Sequence, residues 1–323
     1  MLSIQTIHLT KSFESLTAVK DLSLEVKAGE IFGLVGPDAA GKTTTLRMLC
    51  GILVPDGGEA TVAGCDIRRE TESLKEKVGY LPQRFGLYGD LTVTENLTFY
   101  ADIYQVPRAD RKNRFDRLFH FSNLGPFRDR LAGQLSGGMK QKLALSCALV
   151  HQPEVLLLDE PTFGVDPVSR RDLWLIVHDM VAEGVTAVVS TAYMDEAERF
   201  DRVALLDRGH ILALDTPTVL QEGLSGTVLS VRVDRPREAR LVLASHPSVR
   251  RAAVFGDRIH VSATSAANAL PAIRLALETG GFVVSSVEPV TASMEDVFID
   301  RIADAGSTPA GSAAAGAPPQ AAP

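Results

Sequence analysis

One octapeptide constrains this chain more than any other feature: Gly36-Pro37-Asp38-Ala39-Ala40-Gly41-Lys42-Thr43. It fits the pattern G-x-x-x-x-G-K-[ST] and lies between Glu30–Val35, which reads as a buried strand, and Lys42–Leu49, which reads as a helix. In that setting the loop and the helix N-terminus turn backbone N–H groups towards anionic oxygens. Lys42 neutralises charge on the β- and γ-phosphates, and Thr43 offers its hydroxyl to Mg²⁺. The candidate nucleotide-binding residues are Gly36, Pro37, Asp38, Ala39, Ala40, Gly41, Lys42, Thr43 and Thr44. A chance Gly-rich turn would match the pattern in about one chain per hundred of this size at average residue frequencies. The flanking strand and helix lower that further.

Val155-Leu156-Leu157-Leu158-Asp159-Glu160 is an apolar strand ending in two carboxylates. At the C-terminal end of a sheet strand, Asp159 would hold Mg²⁺ through its water shell and Glu160 would orient an attacking water. Such endings are common in isolation. Set 117 residues after Lys42, this one reads as the second half of a nucleoside-triphosphate site. Thr186–Ser190 is another core-strand run, and the alternation of strands with helix-like stretches indicates an α/β fold with a mostly parallel sheet. Val93–Tyr104 and Asp110–Phe121 have helical periodicity and form a helical insertion.

With 323 residues, the chain has a prior of about two domains. The change in pattern near Leu214–Gly226 divides it into a sheet domain, 1–224 (helical part about 86–150), and an accessory α+β domain, 225–304. The second reads as strand Val228–Val233, helix Arg237–Ser245, strands Arg251–Phe255 and Arg258–Ser262, helix Ala266–Thr279 and strand Phe282–Glu288. That βαββαβ order, turned at Gly256-Asp257, is ferredoxin-like. A closing helix, Ser293–Ile302, starts on the capping signature Ser293-Met294-Glu295-Asp296. Residues 305–323 contain only Ala, Gly, Pro, Ser, Thr and one Gln, and read as a disordered tail.

A net charge of −7 argues against a nucleic-acid partner held by bulk electrostatics. Cys50, Cys65 and Cys147 have neither zinc nor disulfide spacing and read as reduced core thiols. Met1–Lys20 lacks the pattern of a secretory signal. The longest uncharged run of the body, Ile259–Ile273, carries His260, Asn268 and Pro271 and does not qualify as a membrane span. Any action at a membrane then needs another chain to supply the spanning part.

Leu135-Ser136-Gly137-Gly138-Met139-Lys140-Gln141 precedes a helical stretch, Lys142–Val150, and forms a second small-residue anion site at a helix N-terminus. Here the chain resembles the ATP-binding cassette (ABC) ATPases over about residues 2–224. Their LSGGQ signature matches Ser136, Gly137 and Gly138, with Gln141 slightly displaced. The resemblance implies further roles: Gln83 as the Q-loop glutamine that senses Mg²⁺ and couples to the membrane partner, Phe13 as the aromatic that stacks on adenine, and Asp166 of Gly164-Val165-Asp166-Pro167 in the D-loop at the dimer interface. It also implies Mg·ATP as ligand and a head-to-tail dimer, homomeric or heteromeric, in which each γ-phosphate lies between one cradle and the other chain's Ser136. Hydrolysis there moves a membrane permease from the cytoplasmic face of the plasma (inner) membrane. The accessory domain, with Ser293–Phe298, resembles the extension of ABC-2 drug and polysaccharide exporters.

Two departures from the family pattern stand out. Where the family has Asn-Gly the cradle has Asp38-Ala39, so either the loop tolerates a right-handed conformation at Ala39 or nucleotide affinity is reduced; because Gly36 and Gly41 remain, the first is expected. Where the family has a switch histidine after the strand Val185–Ser190, this chain has Ala192, which has no donor or acceptor. His151 and His178 read as helix-end or surface residues that do not compensate, and Tyr193 normally points elsewhere. An asymmetric arrangement follows: slow turnover at this chain's own cradle, with an intact signature completing another cassette's site. The rival reading is a non-transport ATP-dependent clamp with little hydrolysis; a small-molecule kinase is disfavoured by the signature.

Overall fold

The computed structural model describes residues 1–84 and 86–307. The chain divides into two compact units, the first Met1–Gly223 and the second starting at Leu224. In the first unit the strands and helices run β1 (Leu2–Phe13), β2 (Leu16–Lys27), β3 (Ile31–Val35), α1 (Lys42–Leu49), β4 (Gly57–Val62), β5 (Cys65–Asp66), α2 (Thr71–Lys77) and β6 (Val78–Leu81). They continue as α3 (Val93–Ile103), α4 (Arg108–Ser122), α5 (Gly137–Leu149), β7 (Val155–Asp159), α6 (Pro167–Ala182) and β8 (Thr186–Thr191). The unit closes with α7 (Met194–Ala197), β9 (Arg202–Asp207), β10 (His210–Asp215) and α8 (Pro217–Glu222).

Two sheets result. The larger has the order β10-β9-β3-β8-β7-β6, parallel throughout except for the β9–β10 hairpin. Its central strands β3, β7 and β8 are buried along their whole length, as β-branched and Leu-rich runs covered on both faces must be. The smaller sheet, β2-β1-β4-β5, is antiparallel. Sequence reading did not single it out, because long strands with mixed polar and apolar residues give a weak period-2 signal. One core joins the sheets: Leu46, Met48 and Leu49 of α1 pack with Ile4, Leu22 and Val62 of one sheet and Phe32, Leu157 and Val188 of the other.

The helical stretches have local causes. Thr92 and Glu95 form a reciprocal capping box at the start of α3. Asp166 caps α6 by accepting from Val168 N (3.1 Å) and Ser169 N (3.0 Å), with Pro167 at the first helical position. α5 starts at Gly137, five residues before the sequence-predicted Lys142, because Ser136 caps it through its hydroxyl, 3.3 Å from Met139 N. Cys50, Cys65 and Cys147 are free and buried, and burial pushes the Cys50 thiol up to about 11. Among the described residues no helix is long and apolar enough to cross a membrane.

The second unit runs β11 (Thr227–Val233), α9 (Pro236–Ala244), β12 (Val249–Phe255), β13 (Arg258–Ala263), α10 (Ala266–Thr279), β14 (Val284–Val290) and α11 (Met294–Ser307). Its sheet is antiparallel in the order β12-β13-β11-β14. Leu229, Val231, Ile259 and Val261 on one face pack with Leu243, Ile273 and Leu277 of the helices. Polar pairs tie α11 to β12 and β13: His260 Nδ1 lies 3.0 Å from Asp296 Oδ2, and Arg251 donates to Asp300 Oδ1 at 2.9 Å. Asp296 also accepts from the Ser293 backbone N–H at 2.8 Å, closing the cap that starts the helix. α11 continues past the sequence-predicted Ile302 to Ser307, and the expected tail lies outside the described residues from 308 onward.

Burial alone would raise the Asp296 carboxyl, but the hydrogen bonds from His260 and Ser293 outweigh it and hold the pKa below the ordinary 3.8. A carboxyl depressed by folding stabilises above its unfolded pKa, and that contribution is lost as pH falls through the folded value. Asp296→Asn is expected to destabilise the second unit by about 1–3 kcal/mol at pH 7. The difference from wild type should shrink below about pH 4, as read by urea-dependent hydrogen exchange of residues 227–263. A difference independent of pH would contradict this account.

Candidate active site

Parallel pairing sets the site. β3 lies between β9 and β8, and β7 is the next strand beyond β8. The register places Val35 beside Thr191 and Asp159 beside Ser190, so three strands end level at their carboxyl edge. Open α/β sheets bind ligands at that edge.

The cradle wraps from β3 into α1. Gly41 stands at φ +101°, and a Cβ there would lie 2.4 Å from the Ala18 carbonyl oxygen, so only glycine fits. Ala39 also lies in the left-handed region, at φ +63°. This corrects the expected right-handed accommodation: closing the loop demands positive φ at residue 39 whatever the side chain, at a cost of about 1–2 kcal/mol. Lys42 is buried, and its Nζ donates to the carbonyls of Gly36 (2.7 Å) and Pro37 (2.9 Å) and lies 3.3 Å from Glu160 Oε1.

Asp159 is 1% exposed. Its Oδ1 accepts from Thr43 Oγ1 at 2.9 Å and from Ser190 Oγ at 2.7 Å, while Tyr80 OH lies 3.5 Å from Oδ2. Burial, reinforced by the Asp159 charge, pushes the Tyr80 phenol up to about 12, so it keeps its proton. Glu160 has φ +48°, a strained conformation for a non-glycine residue. Its backbone N–H is held by the carbonyl oxygen (3.1 Å) and the hydroxyl (3.0 Å) of Ser190. Gln83 Nε2 donates to Glu160 Oε2 at 2.9 Å.

A cavity of about 530 Å³ opens on these groups, lined by Phe13, Leu16, Ala18, Asp38 to Thr44, Gln83, Glu160 and Phe163. Phe13 is 45% exposed and lines the cavity beside the cradle, with the Lys11 ammonium 5.6 Å from its ring centroid. Among the described residues no cluster of three or more His, Cys, Asp or Glu stands ready to hold a metal. The donors present, a Thr43 hydroxyl, an Asp159 carboxylate and a Gln83 amide, are the hard, sparse set that suits Mg²⁺ arriving with phosphate oxygens.

The signature is not part of this cavity. Ser136 and Gly137 are exposed at the start of α5, and Gln141 borders a separate small cavity with Leu87 and Gly89. Gly138 is buried against α6, where a Cβ would lie 2.0 Å from Ser169 Oγ. Asp166 is exposed at the cap of α6. Ala192 is exposed just past β8, and Tyr193 packs its ring against the Arg170 guanidinium at 4.7 Å. His178 is exposed. His151 is packed rather than superficial, stacked on Tyr104 at 3.8 Å, and burial lowers its pKa to about 4.

Sequence reasoning missed Tyr80, Phe163 and Ser190. Ser190 had a signal: a hydroxyl at the end of an otherwise apolar core strand, in a chain already expected to present two carboxylates at such an edge.

The ABC transporter family matches residues 19–163. The probable multidrug ABC transporter ATP-binding protein YbhF of Escherichia coli is 44% identical over 295 residues, 90% of this chain and 50% of YbhF, so this chain spans half the length of that relative. The linearmycin resistance ATP-binding protein LnrL of Bacillus subtilis is 37% identical over 74% of this chain and 78% of its own. Among solved structures, a dimeric ATP-binding cassette in a post-hydrolysis state with ADP and Pi is 25% identical, with TM-score 0.59 over 66% of this chain and 98% of that one. The chain belongs to the ABC transporter family, among its ATP-binding proteins.

Ala39→Gly removes the left-handed penalty of about 1–2 kcal/mol while adding unfolded-state entropy worth about 0.4–1 kcal/mol. Net stabilisation of roughly 0.5–1 kcal/mol is expected from urea unfolding of the first unit. Gly138→Ala, by contrast, is expected to destabilise by about 1–3 kcal/mol through overpacking against Ser169. Destabilisation by Ala39→Gly, or a neutral Gly138→Ala, would overturn these readings.

Proposed function

We propose that the chain is the ATP-binding, ATP-hydrolysing subunit of an ABC-2-type exporter, peripheral on the cytoplasmic face of the inner membrane and docked on a separate permease. The carrying observation is a division of labour. Phe13, the cradle, Gln83 and Glu160 meet around one cavity with Asp159 behind it, while Ser136 and Gly137 cap a helix exposed elsewhere. A helix N-terminus that faces away from its own cradle is suited to a second chain's phosphates. The names of YbhF, a probable multidrug transporter protein, and LnrL, a linearmycin resistance protein, support transport of this kind, and a solved cassette that is dimeric with ADP and Pi supports dimerisation.

Each side chain then has a task. Lys42 exchanges the carbonyls of Gly36 and Pro37 for the β- and γ-phosphate oxygens. Glu160, freed from Lys42 and Gln83, accepts the proton of the attacking water. Thr43 and Asp159 would hold Mg²⁺, which when bound neutralises charge on the transferring phosphoryl group. Phe13 stacks on adenine through its π-face. Asp166, exposed at the cap of α6, lies at the dimer interface.

Ala192 supplies no hydrogen bond to a γ-phosphate, and Tyr193 is occupied by Arg170. This chain's own cradle therefore turns over slowly, and its intact signature completes the site of a different cassette. A clamp that binds ATP with little hydrolysis outside transport is the second reading, favoured by the same Ala192. The second unit's sheet order supports a ferredoxin-like module, with a regulatory, dimer-stabilising or purely structural role.

Calorimetry is expected to detect Mg·ATP binding by the full chain, and Glu160→Gln to dimerise on ATP in size-exclusion chromatography. Wild type alone should turn over far below the roughly 10 s⁻¹ typical of enzymes, and Ala192→His should accelerate it at least tenfold. Vigorous wild-type turnover would refute the asymmetry. Co-purification of a hydrophobic permease supports transport; co-purification of ribosomes or DNA supports the clamp.

A further inference from the structure

Ser190 is fully buried at the next-to-last position of β8, a strand otherwise apolar from Ala187 to Val189. Its hydroxyl makes two contacts that both end on the catalytic carboxylate pair. It donates to Asp159 Oδ1 at 2.7 Å and accepts the Glu160 backbone N–H at 3.0 Å. The Ser190 carbonyl oxygen takes a share of the same N–H at 3.1 Å. Asp159 Oδ1 thus receives two hydroxyls, Thr43 and Ser190, which leaves Oδ2 facing Tyr80. Glu160 is meanwhile gripped at the residue whose backbone is left-handed.

Two carboxylates on adjacent residues of a strand end have no intrinsic reason to face one nucleotide, since successive side chains of an extended strand alternate in direction. The left-handed turn at Glu160 breaks that alternation, and Ser190 holds the turn from the neighbouring strand. The next residue extends the same strand end into the switch segment: Thr191 Oγ1 donates to the buried Glu196 at 2.7 Å and accepts the Tyr193 N–H at 3.0 Å. With Ala192 unable to reach a phosphate, the switch strand meets the site through Ser190, on the carboxylates, and through the Thr191 carbonyl, which accepts the Gly36 N–H at 3.2 Å.

We propose that Ser190 is a positioning residue that aims both carboxylates, fixing Asp159 for Mg²⁺ and Glu160 for the attacking water. This rests on the proposed ATPase reading of the site. Its hydroxyl is buried and bonded to protein alone, so it acts through Asp159 and through the backbone of Glu160.

The test compares two full-length variants of equal shape, Ser190→Thr and Ser190→Val, which differ by one hydroxyl. Calorimetry with ATP at a series of Mg²⁺ concentrations gives the half-saturating Mg²⁺, and single-turnover hydrolysis of radiolabelled ATP gives the chemical rate. Ser190→Val is expected to bind ATP within about threefold of wild type, to need several times more Mg²⁺, and to hydrolyse at least tenfold more slowly. Ser190→Thr should recover both properties, which a merely space-filling role for residue 190 would not predict. Should wild type bind Mg·ATP without measurable turnover, the Mg²⁺ comparison alone decides. Equal Mg²⁺ requirement and equal rate in the two variants would overturn the proposal. Absence of Mg·ATP binding by wild type would instead strike the ATPase reading itself.

Discussion

The in-register pairing of β3, β8 and β7 is the constraint on which the rest of this molecule depends. Because Val35 lies beside Thr191 and Asp159 beside Ser190, the loop after one strand, the carboxylates after another and the switch after a third come to one edge. Thr43 and Ser190 then meet on a single oxygen of Asp159. A one-residue slip in either pairing would send these side chains to the other face of the sheet. Complete burial of the three strands prevents the slip, since every displaced residue would trade apolar contacts for mismatched ones.

Two of the non-glycine residues with left-handed backbone flank that edge. Ala39 and Glu160 both hold positive φ without being glycine. Conformations of this kind persist only where surrounding contacts over-determine them, and both lie among the groups that line the cavity. At Glu160 the restraint is visible, two acceptors on Ser190 sharing one N–H. At residue 39 it is the loop itself, since Gly41 already sits against the Ala18 carbonyl and Lys42 ties back to Gly36 and Pro37. The loop is thus held in shape by contacts within the protein.

The second unit is organised by a different logic. Its sheet buries one face beneath α9 and α10 through aliphatic side chains, while α11 is attached through His260–Asp296 and Arg251–Asp300. Apolar packing sets the body; the polar pairs act together with the buried Met294 and Val297 to place the last helix. Such pairs are directional where apolar contacts are not, so they specify one placement of a helix that begins on its own Ser293–Asp296 cap.

Local spacing determined a great deal by itself. Strand, loop and helix around Gly36–Thr43 were legible because the physics of a phosphate cradle lies within a dozen consecutive residues, and helix α10 could be bounded at Ala266–Thr279 from its periodicity alone. The capping signal at Ser293, and the absence of a histidine at 192, were likewise there to be read. What only the tertiary structure decided were matters of pairing and closure: the antiparallel sheet of β1, β2 and β4, the strand order, the left-handed Ala39, and the meeting of Ser190 with Asp159. Residues 159 and 190 are brought together by sheet hydrogen bonds between distant segments. No local pattern encodes which strands become neighbours, because that choice is settled by the burial of a whole core at once.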